Sequence, residues 1–381
     1  MTRTTIKIAL IAGEDSGDLL GADLIKNLKL INPNIDFIGV GGKKMQSEGM
    51  QLITSNKEFA IMGFAEVIKK LPKLLKLRQL ITKTIINAEP DLFIGVDAPD
   101  LNFPIEKKLK KQGIKTIHYV SPSIWAWRPK RARQISQITD LVLTLFPFEP
   151  QYYEKVDGKA EFVGHPLAQN IEVDIDKNAA KLALNLSTNN PVLAILPGSR
   201  TNELKAHTNI FMQSAAKLIK LMPELQIISA NTNQSKIQYI QESANRNHVP
   251  IKIFNDATVV LKAADFSLLA SGTVALEAML CKTPMVIGYK ISNITYAIVK
   301  TFNMMLLPYY SLPNVLYEGF LVPEVLQKQM TVENLVKALL PLTKAAQQEM
   351  LKKEFIRLHQ DLLSPNNNAA LSVSKFFTCN Q

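Results

Sequence analysis

The sequence contains little cysteine and no long uncharged apolar run, and both shortages narrow what the protein can be. Its 381 residues include two cysteines, Cys281 and Cys379, which lie too far apart for metal-ligand spacing. A disulfide framework or a bound metal is therefore not expected, which fits a reducing cytoplasm. No stretch reaches the roughly 20 apolar residues that span a bilayer, and the N-terminus shows no signal-peptide pattern. We therefore expect no transmembrane helix.

Two common ligand-binding signatures are also missing. Gly13, Gly17 and Gly21 follow the first apolar run, but their spacing is not that of a dinucleotide-binding turn, which argues against a nicotinamide or flavin cofactor. No helix-turn-helix, zinc-finger or RNA-binding signature accompanies the net charge of +11, so nucleic acid is not the expected partner. The charge instead favours phosphorylated metabolites or anionic lipid headgroups.

Short β-branched runs alternate with helical patterns along the whole chain, which predicts an α/β protein with parallel sheets covered by helices on both faces. The length favours two domains, with a ligand cleft between them at the carboxyl ends of their strands. We expect domains at 1–180 and 181–345 and a helical segment at 346–381, which packs back on the first domain or is exchanged in a dimer. The expected strands are 5–13, 35–41, 92–96, 116–120, 141–145, 161–163, 192–196, 226–230, 251–254, 266–270 and 285–289.

The segment from Ser271 to Glu277 follows an apolar strand and opens a helix. The free N–H groups at a helix start favour an anion, so Gly272 and Thr273 are candidate phosphate donors. Glu277 lies one helical turn beyond Thr273, where a carboxylate is able to accept hydrogen bonds from ribose hydroxyls. The alternative is a capped core helix with a solvated glutamate.

Asp97 directly follows the apolar run 92–96, a frequent position for a catalytic side chain in an open α/β sheet. It is a candidate general base, and the alternative is an aspartate that starts the turn before Pro99. In the second half, Ser199 and Arg200 follow another apolar run. We expect Ser199 to cap the next helix and Arg200 to project into the cleft, where it would stabilise a diphosphate leaving group.

Three further segments contain candidate binding residues. The acidic turn after the first strand contains Glu14 and Ser16, which hold sugar hydroxyls or cap a helix. Both tryptophans precede a basic run that is able to bind a phosphorylated amphiphile, or is a packed loop followed by a solvated helix face. The segment 61–83 mixes apolar residues with cations and favours an anionic lipid surface, although Pro72 predicts two short helices there, not one. The candidates in the last two segments are Arg128, Lys130, Arg131 and Ile61, Met62, Phe64, Lys69, Lys70, Lys73.

In this order along the chain, the motifs resemble those of the lipid-A-disaccharide synthases, which are inverting glycosyltransferases with two Rossmann-like domains facing across a cleft (GT-B). The resemblance extends from about residue 5 to about residue 360. Its most specific part is the tryptophan block, whereas many GT-B enzymes share the segment that ends in Glu277. The matching stretches are 12–18, 61–64, 95–100, 118–128, 162–166, 196–200, 270–277 and 311–314.

The resemblance implies transfer of 2,3-diacylglucosamine from UDP-2,3-diacylglucosamine to the 6-hydroxyl of 2,3-diacylglucosamine 1-phosphate. It implies that Asp97 is the base, that Arg200 stabilises the departing UDP and that Asn314 contacts the donor. Glu14 and Ser16 would lie on the acceptor side or be structural, and Arg128, Lys130 and Arg131 would bind the acceptor phosphate. No bound metal or cofactor is implied, since cations and helix dipoles stabilise the diphosphate.

The resemblance further implies a peripheral homodimer on the cytoplasmic face of the inner membrane. Two other kinds of protein remain open at this stage. One is another GT-B enzyme, such as a UDP-N-acetylglucosamine 2-epimerase or a peptidoglycan glycosyltransferase. The other is a non-catalytic protein that binds a nucleotide sugar or a lipid on the same fold.

Overall fold

Two parallel sheets organise the chain in a computed structural model that describes residues 5–59, 64–127, 130–291, 308–364 and 368–378. Within the described helices, the side chains of 64–71, 127 and 378 are not part of this description. The chain divides into one unit of Met1–Pro166 with Ser364–Gln381 and a second unit of Leu167–Leu363. The first division therefore falls before the expected residue 180, because the helix 177–183 packs within the second unit, where Lys181 contacts Asp265 at 2.8 Å.

The sheet of the first unit has the strand order β3-β2-β1-β4-β5-β6-β7, and every described pairing in it is parallel. Its strands are β1 (Ile6–Ala12), β2 (Ile35–Gly41), β3 (Gln51–Ser55), β4 (Leu92–Val96), β5 (Lys115–Tyr119), β6 (Leu141–Thr144) and β7 (Ala160–Phe162). The helices around it are α1 (Asp15–Ile31), α2 (Lys43–Ser47), α3 (Phe64–Ala88), α4 (Pro99–Lys111), α5 (Ile124–Trp127), α6 (Arg131–Ile138) and α7 (Pro150–Glu154).

Both faces of this sheet are buried, as the unbroken apolar strands predict. On β1, Ile8 and Leu10 pack on one face and Ala9 and Ile11 on the other, and all four are fully buried. The first face packs against α1 and against Val373 of the C-terminal helix, and the second against α3 and α4. The tail of the chain therefore belongs to the core of the first unit.

The second unit contains a sheet with the order β10-β9-β8-β11-β12-β13, whose described pairings are again parallel. Its strands are β8 (Val192–Leu196), β9 (Gln226–Ala230), β10 (Ile251–Phe254), β11 (Phe266–Leu269), β12 (Met285–Tyr289) and β13 (Glu324–Leu326). The remaining helices are α8 (Pro166–Asn170), α9 (Lys177–Ala183), α10 (Thr201–Leu221), α11 (Gln234–Arg246), α12 (Ala257–Ala263), α13 (Thr273–Leu280), α14 (Leu312–Tyr317), α15 (Val332–Leu339), α16 (Ala345–Leu362) and, in the first unit, α17 (Ala369–Thr378).

Two strands, β3 and β13, lie at sheet edges and were not predicted from the sequence. β3 is only partly buried, and its Gln, Thr and Ser residues weaken an apolar strand signal. β13 has three residues, too few for a periodicity to be read.

The prediction that Pro72 divides its segment was wrong, since α3 is one helix of 25 residues with Pro72 inside it. A proline removes one hydrogen bond from a helix interior, and the many other bonds of a long helix tolerate that loss.

Candidate active site

Asp97 occupies a strained turn at the carboxyl end of β4. Its φ is 51° and that of Ala98 is 42°, so two consecutive non-glycine residues adopt the left-handed conformation before α4 begins at Pro99. The Asp97 backbone N–H donates to the Tyr119 carbonyl at 2.8 Å. The turn therefore presents the Asp97 side chain at the edge of the sheet where open α/β proteins bind ligands.

The Asp97 turn forms one wall of a cavity of about 350 Å³, which we call the Asp97 cavity. Another part of its lining is apolar and comes from Phe59, Leu74 and Leu75. Glu14 and Arg78 add charges of opposite sign. The other lining residues are Gly13, Ala98, Pro99, Asp100 and Leu101. This combination suits a ligand with both a polar or anionic part and an apolar part.

The acidic segment at the start of α1 contains three carboxylates, and two of them form hydrogen bonds within the protein. Asp18 is buried and accepts hydrogen bonds from the backbone N–H groups of Gly42 at 2.6 Å and of Lys44 and Met45 at 3.1 Å, so it caps α2. Asp15 accepts a hydrogen bond from the Asn56 amide at 3.2 Å. Of the two predicted candidates, Glu14 lines the Asp97 cavity, whereas Ser16 is exposed in the first turn of α1 and is not among the lining residues.

The structure does not bring the described cations of the tryptophan block into the Asp97 cavity. The Arg131 guanidinium lies 5.9 Å from the centre of the Phe103 ring, in a groove between α4 and α6. Lys130 is exposed directly before α6, and Arg128 lies outside the described residues. Trp125 is buried and packs edge-on against Phe148 at 5.4 Å. The packed-loop alternative therefore describes Trp125.

Arg200 follows a glycine turn at the carboxyl end of β8, in the second unit. Gly198 has a φ of 118°, and a Cβ there would lie 2.6 Å from Glu203, so the turn requires glycine. The Glu203 carboxylate accepts hydrogen bonds from the backbone N–H groups of Ser199 at 3.0 Å and Arg200 at 3.1 Å. The prediction that Ser199 caps the helix was wrong, because Glu203 reaches back to satisfy these N–H groups before α10 begins.

His207 connects the Arg200 turn, through Pro197, with Lys290, which directly follows β12. It is fully buried on α10, with Nδ1 3.0 Å from the Pro197 carbonyl and Nε2 3.0 Å from the backbone N–H of Lys290. Nε2 also lies 3.3 Å from the Lys290 carbonyl, but the shorter contact with the N–H and the Pro197 carbonyl at Nδ1 favour the tautomer with a proton on Nδ1 and none on Nε2. Burial lowers the pKa of His207, which keeps the imidazole neutral, as the pattern demands.

A second cavity, of about 480 Å³, lies in the second unit between the Arg200 turn and the start of α13, and we call it the Arg200 cavity. Ser199, Arg200, Gly272, Thr273 and Glu277 all line it. The other lining residues are Leu196, Gly198, Glu203, Ala230, Asn231, Thr232, Asn255, Ala257, Ala270, Ser271 and Val274. The structure therefore brings five of the six predicted donor-binding residues together.

Gly272 directly precedes α13, and Glu277 lies one helical turn inside it. Gly272 has a φ of 153°, a conformation that an L-residue rarely adopts, and it is exposed before the helix begins at Thr273. The Glu277 carboxylate accepts a hydrogen bond from the Thr258 hydroxyl. Burial raises the pKa of Glu277 above its ordinary value. A half-buried carboxylate one turn behind free helix N–H groups is suited to ribose hydroxyls next to a diphosphate.

Asn314, the sixth predicted donor residue, has a structural role. Its side chain is fully buried. Its Oδ1 accepts from the backbone N–H groups of Leu321 at 2.9 Å and Val322 at 2.8 Å, and its Nδ2 donates to the Val322 carbonyl at 3.0 Å and to Glu324 at 2.8 Å. Since an amide side chain has two donors and two acceptor positions, none is left for a ligand.

Most of the predicted lipid-facing residues fall where side chains are not described. Ile61 and Met62 lie outside the described residues, and the side chains of Phe64, Lys69 and Lys70 do as well. Lys73 is exposed on α3 and forms an ion pair with Glu58 at 3.2 Å. Across the described ranges, no helix combines the length and the apolar character needed to cross a membrane.

Comparison with known proteins identifies the family. A family model described as lipid-A-disaccharide synthetase matches residues 8–374. The lipid-A-disaccharide synthase of Xanthomonas campestris pv. campestris is 44% identical over 378 residues, which cover 98% of this chain and 86% of that protein. The chain belongs to the lipid-A-disaccharide synthase family. It is therefore a glycosyltransferase of lipid A biosynthesis, as the motifs predicted.

Solved structures confirm the GT-B fold of this family member. The UDP-GlcNAc 2-epimerase of Neisseria meningitidis bound to UDP-GlcNAc superposes with a TM-score of 0.63 at 14% identity, over 98% of this chain and 100% of that chain. The calicheamicin glycosyltransferase CalG4 gives a TM-score of 0.60 at 14% identity, over 99% of each chain. At such low identity these neighbours show the fold alone, so the epimerase likeness does not favour epimerase chemistry.

The tertiary structure also places residues in the two cavities that sequence motifs did not predict there. Arg78 belongs to the segment 61–83, for which the sequence favours a lipid surface, yet it lines the Asp97 cavity. Asn231 and Thr232 follow β9 and Asn255 follows β10, and all three line the Arg200 cavity. Polar residues directly after parallel strands were the available signal, since those strand ends converge on one edge of the sheet.

Proposed function

We propose that Asp97 is the general base and Arg200 the leaving-group cation of the family's glycosyl transfer. In this reaction, 2,3-diacylglucosamine passes from UDP-2,3-diacylglucosamine to the 6-hydroxyl of 2,3-diacylglucosamine 1-phosphate. The products are a β(1→6)-linked tetraacyl disaccharide 1-phosphate and UDP. The anomeric carbon inverts because the acceptor attacks from the face opposite to the leaving group.

Asp97 is suited to activate the acceptor. As the 6-oxygen forms its bond to the anomeric carbon, the hydroxyl proton passes to the Asp97 carboxylate. An inverting transfer needs one base and no covalent intermediate. The single observation that carries this assignment is that a strained, hydrogen-bonded turn directs Asp97 into a cavity with both charged and apolar walls.

Arg200 and the start of α13 are suited to hold the donor. The bond between the anomeric carbon and the diphosphate oxygen breaks, and the electron pair leaves with UDP. The exposed Arg200 guanidinium would stabilise the negative charge that develops there, and the N–H groups at Gly272 and Thr273 would bind the phosphates. Glu277 would accept hydrogen bonds from the ribose hydroxyls.

Among the cations that the structure describes, Arg78 is a stronger candidate for the acceptor phosphate than Lys130 and Arg131 of the tryptophan block. It lines the cavity that contains Asp97, whereas Arg131 lies in the groove against Phe103. The apolar residues Leu74 and Leu75 in the same lining would contact an acyl chain. A sugar with its hydroxyl at Asp97 and its phosphate at Arg78 would present its acyl groups to that apolar wall.

The direct test is an assay with the two diacylated sugars that follows release of UDP in detergent micelles. Wild-type protein should form the disaccharide phosphate, and Asp97→Asn should lower kcat by about 10²–10⁴-fold, as loss of a general base does. Asp36→Asn is the control, because Asp36 is an exposed carboxylate of the same unit. A normal rate from Asp97→Asn would show that Asp97 is not the base. Absence of product from wild type would show that these two sugars are not the substrates.

We also propose peripheral association with anionic lipid on the cytoplasmic face of the inner membrane. The net charge of +11, the cations of α3 and the acyl chains of both substrates support it. Vesicles of phosphatidylcholine with phosphatidylglycerol should carry the protein in flotation, and vesicles of phosphatidylcholine alone should carry less. Lys73→Glu should weaken the binding more than Lys220→Glu, which changes an exposed lysine of α10. Equal binding to both vesicles would contradict the proposal.

The likeness to the family also leads us to propose a homodimer. Sedimentation equilibrium of the full chain in detergent should then give about twice the monomer mass. A single species at the monomer mass would contradict this part of the proposal.

A further inference from the structure

Both backbone polar groups of Asp97 are held by neighbouring residues, and one of the two partners is a buried side chain. The Asp97 N–H donates to the Tyr119 carbonyl at 2.8 Å. The Asp97 carbonyl accepts from the Asn102 side-chain amide at 2.7 Å, the shortest of that amide's three contacts. The same amide lies 3.3 Å from the Val96 carbonyl and 3.4 Å from the Ile11 carbonyl.

The orientation of Asn102 is fixed by what surrounds it. Its side chain is fully buried on the first turns of α4, and its Nδ2 faces three carbonyl oxygens. Turning the amide over would place its oxygen against those carbonyls, which is repulsive. Within the described residues Oδ1 has no hydrogen-bond partner, so the group acts as a donor alone.

The hydrogen bond from Asn102 to the Asp97 carbonyl is needed because the turn is strained. Asp97 and Ala98 both have positive φ, and each left-handed non-glycine residue costs free energy unless its surroundings enforce it. The hydrogen bond to the Asp97 carbonyl stabilises this arrangement at the residue that carries the carboxylate. Without it, the turn is free to relax and to redirect the side chain.

A buried pair holds α4 in place one helical turn further along. Glu106 lies four residues after Asn102 on the same face, and its carboxylate is 2.7 Å from Nδ1 of His118 on β5. Both side chains are fully buried. A Cβ at Gly95 would lie 2.3 Å from Glu106 and 3.0 Å from Asn102, so glycine leaves room for both. α4 is thus fastened to β4 and β5 beneath the Asp97 turn.

We infer that Asn102 is a positioning residue, which sets the direction of the Asp97 carboxylate through the hydrogen bond to the Asp97 carbonyl. This inference rests on the proposed role of Asp97 as the base. A displacement of about 1 Å of a catalytic group is enough to lower a rate about a hundredfold. Asn102→Ala should therefore lower kcat by about that factor, while the KM of either substrate stays within about twofold, because neither cavity includes Asn102 in its lining.

The decisive readout is a double-mutant cycle with Asp97. If Asn102 acts through the carboxylate, adding Asn102→Ala to Asp97→Ala should lower the residual rate no further. A residue that merely supports the fold would lower both backgrounds by the same factor. Thr139→Ala is the control, since it removes a buried hydroxyl of the same unit, which directly follows α6 and donates to the Ile135 carbonyl of that helix. This control should lose thermal stability with its kcat unchanged.

If Asn102→Ala does not fold in the wild-type protein, the same substitution is tested in a second background. Ala98→Gly takes the left-handed conformation without steric cost, so Asn102→Ala should fold in it. A kcat of Asn102→Ala within about threefold of its parent in both backgrounds, with Asp97→Ala inactive, would overturn the inference and leave the role of Asp97 intact. Full activity of Asp97→Ala would instead overturn the proposed function.

Discussion

The Glu203 carboxylate holds Arg200 at two points, the backbone N–H and the guanidinium, each at 3.1 Å. The Arg200 side chain is 82% exposed and that of Glu203 is 14% exposed. An ion pair this exposed contributes little to stability, so its effect is mainly to orient the guanidinium. A diphosphate in the Arg200 cavity would be able to replace Glu203 as the partner of the guanidinium, while the backbone contact keeps the turn in place.

Removing the Arg200 side chain should impair the chemical step. Arg200→Ala is expected to lower kcat by about 10²–10³-fold, because the developing charge on UDP loses its fixed cation. Arg200→Lys should recover part of the rate, since a lysine keeps the charge without the planar fork. Steady-state kinetics tests this, with the exposed Arg246→Ala of the same unit as control. An Arg200→Ala enzyme with wild-type kcat would contradict the role.

Gly272 should be needed for its backbone conformation, not for space. A Cβ there meets nothing within 4 Å, yet its φ of 153° is unsuited to alanine. Gly272→Ala should lower the free energy of unfolding by about 1–3 kcal/mol. It should also raise the KM for the donor. Gly113→Ala is a matched control, because Gly113 also has positive φ and open space but lies in the first unit. Equal effects of the two substitutions on donor KM would show that the turn before α13 does not bind the donor.

Arg78 should act on the acceptor alone. Arg78→Ala is expected to raise the KM for 2,3-diacylglucosamine 1-phosphate about tenfold or more, as loss of a charge-assisted contact does, and to leave UDP affinity unchanged. Arg133→Ala, an exposed cation of the tryptophan block, should leave both quantities unchanged. Kinetics with each substrate varied, together with calorimetry of UDP, separates these outcomes. An unchanged acceptor KM in Arg78→Ala would show that other cations, and not Arg78, bind the acceptor phosphate.

The first unit should lose stability in acid through His165. Burial lowers the pKa of His165 to about 4, below the value of about 6.5 in an unfolded chain. Between these values the unfolded state binds the extra proton and the native state does not, so the stabilisation present above about pH 6.5 is lost as the pH falls towards about 4.

Thermal unfolding of the full chain across this pH range tests the effect. His165→Gln should show a smaller decline in midpoint than wild type as the pH falls, because the group that takes up the proton is gone. His248→Asn provides the control, since His248 is exposed and its left-handed backbone suits asparagine. Identical pH profiles for wild type and His165→Gln would contradict the prediction.

Local patterns were enough to predict the central strands and the two motifs at their carboxyl ends. β4 and β8 are unbroken apolar runs, and Asp97 and the Arg200 turn follow them directly. Local patterns did not predict the roles of side chains whose hydrogen-bond partners are set by tertiary contacts. Ser199 has the residue type of a helix cap, but Glu203 satisfies the N–H groups at that turn. Asn314 has the residue type of a ligand contact, but its backbone and carboxylate partners within the protein use all its hydrogen-bonding capacity.

The sequence by itself determined the fold class, the family and the strand ends at which we propose the chemistry, because apolar periodicity and motifs are read directly along the chain. Only the tertiary structure decided which polar side chains remain available to a ligand. Hydrogen-bonding capacity is consumed by partners distant in sequence, as Asp18 shows with the N–H groups of α2. The tertiary structure also places Arg78 and Asp97 in the lining of one cavity. The two residues lie on α3 and after β4, which pack together although no local spacing relates the two positions.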